Sequence, residues 1–224
     1  MRRPSRTLAT GAATVTGAVL AAAVALAGCS ADPEDVSAQD TPSASVSTSP
    51  TPSSTVGVPD DVDLTNQGTG IAFGDPAQVI FESTENKGTV LQLTVRSVRE
   101  GRLRDFGGFI LDDTYKQDAS YYYVKVTVKN IGRGDVGGVG VPLWGVNKAD
   151  TLLPAVNFTT RFEPCPSRKL PARFPPGAAL STCLVYLSPD KGDLKAVSYR
   201  PSQRFDAVTW SGPVRRATPA KKSG

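Results

Sequence analysis

The sequence predicts an all-β fold, an antiparallel sandwich, and three observations carry the prediction. Residues 121–130 alternate with a period of two. Tyr122, Val124, Val126 and Val128 fall on one face and Tyr123, Lys125, Thr127 and Lys129 on the other, a pattern that fits a half-buried pleated strand. Residues 90–98 repeat the device, with Leu91, Leu93 and Val95 alternating against Gln92, Thr94 and Arg96. Pro and Gly punctuate the gaps, as at Pro175, Pro176 and Gly177 and again at Pro189 and Gly192. No window of helical length carries a 3.6-residue apolar stripe.

The chain opens on a different kind of segment. Arg2, Arg3 and Arg6 supply a positive end, the stretch from Thr7 to Ala27 is uncharged and rich in Ala, Val and Leu, and Leu26, Ala27 and Gly28 stand before Cys29. These are the parts of a bacterial lipoprotein export signal over residues 1–28. Cys29 is thereby the expected lipidation site, with the lipid bilayer as its partner. A thioether-linked diacylglycerol and an amide-linked chain supply the two or more acyl groups that stable anchoring requires. The competing reading is an uncleaved membrane-spanning helix, since the uncharged stretch is long enough to span; Gly11, Gly17 and four threonines dilute its apolarity. Arg2 and Arg3 are followed by Pro4 and Ser5 rather than an apolar pair, which leaves the choice between general secretion and the twin-arginine route open.

Residues 29–70 read as a disordered tether. Between Ser37 and Pro59, 15 of 23 residues are Ser, Thr or Pro, with no aromatic and one acidic residue, Asp40. Such a stretch buries too little apolar area to offset its ordering entropy. The composition suits O-glycosylation and an unmodified spacer alike. Asp60, Asp61 and Asp63 lack the central Gly and terminal Glu of a calcium loop and read as the solvated end of the tether.

Residues 71–211 form the predicted domain, with strands at 78–81, 90–98, 121–130, 139–146, 152–158, 179–187, 195–199 and 207–210. Gly212 and Pro213 close it, and residues 212–224, with Arg215, Arg216, Lys221 and Lys222, read as a disordered basic tail.

Composition narrows the function. There is no histidine, the single Met is the initiator, and there are three Cys. The commonest general base and metal ligand are therefore missing, and catalysis, metal binding and cofactors are not expected. Three of the 25 Lys and Arg precede Cys29 and none of the 21 Asp and Glu does, so residues from Cys29 onward carry a formal +1. A near-neutral body argues against nucleic acid as a partner. With Cys29 assigned to lipid, Cys165 and Cys183 remain, the arithmetic of one disulfide in an oxidising compartment; two buried free thiols are the alternative.

A tethered lipoprotein with Val-Lys-Val-Thr-Val-Lys-Asn at 124–130, followed by a Pro-Gly turn at 176–177 and a long apolar strand, resembles the actinobacterial lipoproteins that carry an immunoglobulin-like, telokin-like domain of unknown function. The likeness covers roughly residues 75–211. It implies an immunoglobulin-like sandwich and supplies no catalytic residues.

Short motifs add little. Gly132, Gly134 and Gly137 match G-x-G-x-x-G after a strand, but Gly138 to Pro142 opens another strand instead of the helix that a pyrophosphate needs. Arg133, Gly134 and Asp135 form an adhesion-type tripeptide. Ser188 to Lys191 matches S-x-x-K without its companion motifs. Trp144 and Trp210 read as core packing. The charged loop 99–119, with Gly107 and Gly108 at its centre, is long for a compact sandwich. Phe106 and Phe109 within it form either a contact for a partner or a cap on the domain's own core.

Together these readings describe a lipid-anchored protein on the extracytoplasmic face of the cell membrane. Its sandwich is expected to bind or scaffold an envelope protein or wall polymer and not to act as an enzyme. The alternatives are a carrier of an apolar ligand inside the sandwich, a hydrolase built on carboxylates such as Asp112 or Asp113, and an adhesin using Arg133 and Asp135.

Overall fold

The computed structural model describes residues 56–83, 87–111 and 113–217. The export signal, Cys29, most of the tether, Asp112 and residues 218–224 lie outside the described residues. Ten strands occur among the described residues: β1 (Gly70–Ala72), β2 (Pro76–Glu82), β3 (Gly88–Glu100), β4 (Ser120–Asn130), β5 (Trp144–Asn147), β6 (Leu152–Leu153), β7 (Ala179–Ser188), β8 (Leu194–Tyr199), β9 (Val208–Ser211) and β10 (Val214–Arg215). They form two five-stranded sheets. One runs β1-β9-β8-β5-β6; the other runs β10-β3-β4-β7, with β2 also paired to β3. Every pairing is antiparallel except β1 with β9 and β10 with β3. Among the described residues helix is confined to a 3₁₀ turn, Leu103–Phe106, and one α-turn, α1 (Thr114–Gln117). The chain is an all-β, antiparallel-dominated sandwich.

The first strand is divided between the sheets. β1 lies beside β9, and the chain crosses at Gly74, whose φ of 105° favours glycine. β2 then pairs with β3 in the other sheet. Phe73 donates to the Ser211 carbonyl and Gly74 to that of Val95, so the crossing is held from both layers.

The core lies between the sheets, and the sequence alternation explains it. Leu91, Leu93, Val95, Val124, Val126, Val128, Leu184 and Tyr186 meet Val197, Tyr199, Val208 and Trp210 from the opposite layer. The large rings keep their polar atoms bonded, as buried aromatics must. The Tyr186 hydroxyl donates to the Leu143 carbonyl at 2.9 Å, the Tyr122 hydroxyl to that of Gly192 at 3.1 Å, and the Trp210 indole to that of Asp75 at 3.0 Å. Burial pushes the Tyr186 and Tyr199 phenols up, so both stay neutral.

Three elements differ from the sequence expectation. The strand expected at 139–146 is reduced to Trp144–Asn147, and that at 152–158 to Leu152–Leu153. Pro142 and Pro154 cannot donate to a ladder; Pro142 stands two residues before β5 begins and Pro154 directly after β6 ends. The sheet also continues beyond Ser211 into the stretch read as a basic tail: Val214 and Arg215 pair in parallel with Val98 and Arg99. β10 there takes the stretch of β3 edge past the end of β2, covering backbone groups that would otherwise be open.

A β-bulge lies at Arg96. Val95 faces Val126 and Ser97 faces Lys125, leaving Arg96 as the extra residue. The alternation therefore slips, and Val98 rather than Ser97 returns to the core. The outer face of β3-β4-β7 is consequently split. One half carries Tyr121, Tyr123 and Val185 and is covered; the other carries Arg96, Lys125, Thr127, Lys129 and Ser181 and is open.

Candidate binding cleft and the loops that build it

Two loops cover the aromatic half of that outer face. The first contains Phe106, which is 5% exposed. Its ring stacks on Phe162 at 4.7 Å between centroids and lies 4.4 Å from Tyr121. Phe109 is partly buried and meets Phe158 and Phe162 edge-on at 5.4 and 5.5 Å. The second loop supplies Phe158 and Phe162, which stack on each other at 4.7 Å. Arg99 joins the layers: its guanidinium lies 4.3 Å over the Tyr123 ring and donates to the Pro164 carbonyl at 2.7 Å. The Tyr123 hydroxyl donates to Asp105, which also accepts the Arg102 N–H.

Of the two phenylalanines expected as a partner contact or a cap, Phe106 thus lies inside an aromatic cluster and Phe109 at its margin. The exposed apolar residues of the same loop are Ile110, 85% exposed, and Leu103, 50% exposed. Asp113 caps α1, accepting the Lys116 N–H at 2.7 Å and pairing with the Lys116 ammonium. That is the work of a helix cap.

Cys165 and Cys183 are joined in a disulfide, with Cα atoms 5.2 Å apart. The bridge has a positional consequence. It pins the segment after Cys165 to β7, and two further bonds hold the neighbouring walls: Arg168 donates to the Thr182 hydroxyl at 2.9 Å and Val156 to the Val185 carbonyl at 2.8 Å. Between these fixed walls opens a cleft of about 220 Å³ lined by Trp144, Pro142, Pro154, Leu184, Arg168 and Lys169, among others.

Trp144 is the residue that the sequence reading placed in the core. Trp210 fits that expectation at 0% exposure, whereas Trp144 is 38% exposed and lies at the cleft. The signal that could have found it is Pro142, which breaks the expected strand just before the indole. Arg168 and Lys169 are exposed and in no salt bridge among the described residues, and no acidic side chain lines the cleft. The residues that line the cleft supply a tryptophan, apolar groups and two basic residues.

The other motifs resolve into structural roles. Among the described residues no helix follows Gly137. The Asn130 side chain, 0% exposed, accepts from the Thr89 hydroxyl and the Gly132 N–H and donates to the carbonyls of Gly134 and Phe174. A Cβ on Gly134 would collide with the Gly88 carbonyl, and one on Gly137 with that of Ala172, so these glycines serve close backbone approach. Asp135 accepts the Phe174 N–H at 2.7 Å and the Gly137 N–H at 2.8 Å. Those two donors hold its carboxyl below the usual range. Asp193 is also shifted down, by the Lys148 ammonium 2.5 Å away. Ser188 ends β7, with Lys191 in a left-handed turn (φ 55°) instead of one helical turn on. Among the described residues no group of three or more His, Cys, Asp and Glu is placed to hold a metal, and no helix is long and apolar enough to cross a membrane.

Fold and site together define a disulfide-bridged, two-sheet β-sandwich with a cationic cleft on an exposed tryptophan. No protein-family model, curated protein or solved structure matches the chain.

Proposed function

We propose that the chain is an extracytoplasmic lipoprotein, anchored through an acylated Cys29, whose sandwich binds a small ring-bearing anion at the Trp144 cleft. The anchoring part rests on the Leu26 to Cys29 sequence, and the Cys165–Cys183 bridge supports it, because such bonds persist in oxidising compartments. The division of the first strand between the two sheets supports an immunoglobulin-like arrangement. Lipid attachment raises the effective concentration of a modest binder at the membrane surface.

The observation that carries the binding reading is the exposed Trp144, set beside Arg168 and Lys169, which join no salt bridge among the described residues, between walls already fixed before any ligand arrives. Preorganised walls reduce the ordering cost of binding. At about 220 Å³ the cleft is smaller than sites for drug-sized molecules, so a single ring with one anionic substituent is the natural occupant. The space between the sheets is filled by Trp210, Tyr122, Tyr186 and Tyr199, which favours a surface site over a carried ligand.

Fluorescence tests the cleft directly, because Trp210 is buried and Trp144 is not. Small acidic saccharides and aromatic carboxylates should quench or shift the Trp144 emission saturably. Trp144→Phe should abolish the signal and Arg168→Gln with Lys169→Gln should weaken binding about tenfold or more. No saturable response from any such anion would remove the reading. Anchoring is tested separately: Cys29→Ala should release the protein from the membrane fraction, and the mature wild type should carry acyl mass on its first residue.

A further inference from the structure

The open half of the outer face of β3-β4-β7 is a second surface, distinct from the cleft. Along β4, Lys125, Thr127 and Lys129 point outward at intervals of about 6.8 Å, two residues of strand each. Across the sheet the bulge brings Arg96 alongside: its Nε donates to the Thr127 hydroxyl at 3.4 Å, and that hydroxyl lies 3.3 Å from the Ser181 hydroxyl. Two hydroxyls therefore sit at the centre with three cations around them.

The charges are not compensated within the fold. Lys129 lies between Gln92 and Ala179, and Lys125 between Ser97 and Cys183. None of the three cations joins a salt bridge among the described residues. The bulge leaves Arg96 out of the register, and its side chain meets the Thr127 hydroxyl between the two lysines. An exposed sheet face ordinarily mixes signs; on this one the named charges are all positive, which suits an anionic partner. The strands fix the spacing of the positions that carry the charges, and Arg96 is tied to the Thr127 hydroxyl.

We propose that this face binds a linear polyol-phosphate polymer, with one phosphodiester over the Thr127 and Ser181 hydroxyls and its neighbours against Lys125 and Lys129. Phosphate suits the centre because its several oxygens accept from hydroxyls and from a guanidinium together. A three-carbon bridge between phosphates matches the interval along β4, whereas directly linked phosphates are too close.

The test is titration of the full-length protein with a synthetic oligo(glycerol phosphate), at about 50 and 200 mM salt. Three neutralised phosphates on a single chain give a slope near −2 in log K against log salt, or about an 18-fold loss over that range. Lys125→Gln with Lys129→Gln should weaken binding and reduce the loss to about 3-fold. Thr127→Val should weaken binding several-fold with the slope unchanged, since it removes a hydroxyl and no charge. All three positions are partly or fully exposed, and a thermal melt confirms that each variant is folded. Trp144→Phe should leave this binding intact, which separates the face from the cleft. The proposal is overturned if the oligomer does not bind, if the double lysine variant binds as wild type, or if a uronate polymer of equal charge binds as tightly and is unaffected by Thr127→Val.

Discussion

The Phe106 ring stacks on that of Phe162, 4.7 Å between centroids and 26° from parallel, although the two residues belong to different loops. Neither loop has a sheet of its own. Each sets a phenylalanine over Tyr121 and Tyr123, and the second loop is held as well by the Cys165–Cys183 bridge and the Arg99 bond to the Pro164 carbonyl. Phe106→Ala should therefore cost about 3–4 kcal/mol, the usual penalty for emptying a buried aromatic site. In a domain of this size that lowers the melting temperature by about 10 °C. Ile110→Ser, four residues on and 85% exposed, should change stability by less than about 0.5 kcal/mol. Thermal melts of the two variants check this; equal shifts would mean that the loop is not packed as described.

The Cys165–Cys183 bridge should matter twice. Replacing both cysteines with Ser removes a cross-link between positions 18 apart, which costs about 3 kcal/mol of stability. It also frees the wall that carries Arg168 and Lys169, so Trp144 should become more accessible to iodide in the folded protein. Denaturant midpoints measure the first effect and fluorescence quenching the second. A stability loss without a quenching change would show that the Arg168 and Thr182 contact alone fixes the cleft.

Asn130 is fully buried, and its four side-chain hydrogen bonds join separate turns. Asn130→Ala takes the donor from the Gly134 and Phe174 carbonyls and the acceptor from the Thr89 hydroxyl, while the Gly132 N–H keeps the Val90 carbonyl; this should cost about 3 kcal/mol or more. Asn130→Asp should be worse near neutrality, because a carboxylate would face those two carbonyls, and should recover partly on acidification. Urea midpoints at two pH values decide it. A neutral Asn130→Ala would mean that water replaces the amide.

What was legible in the sequence follows from where one period rules. β3 and β4 were readable because their faces alternate against a single core, and the short turns because Pro and Gly mark them. The cover over Tyr121 and Tyr123 was not, since outward-facing tyrosines on a strand look the same whether a loop lies on them or water does. Trp144 was misplaced for a related reason: it falls inside an apolar window whose continuity Pro142 interrupts, and burial there depends on residues 167–169, far along the chain. The cysteine pair was legible by arithmetic, but its role as a cleft wall needed the register of β7. Arg96 looks like one more outward residue; the bulge, marked by the three-residue step from Val95 to Val98, leaves it unpaired in the register with its guanidinium on the Thr127 hydroxyl.

Asp135 gives the domain a defined acid sensitivity. Its carboxylate takes the Phe174 and Gly137 N–H groups, and these donors lower its pKa in the folded state. A lowered folded pKa means that the ionised form is worth more folded than unfolded. The contribution is then complete above the unfolded value, about 3.9, and disappears as pH falls through the folded value below it. Asp135→Asn keeps one acceptor oxygen but loses the charge, so it should be less stable than wild type above about pH 5, and the gap should close progressively below about pH 4. Denaturant midpoints for both proteins across that range give the answer. A gap that stays constant down to the lowest pH would show that the two N–H groups bind the oxygen irrespective of its charge.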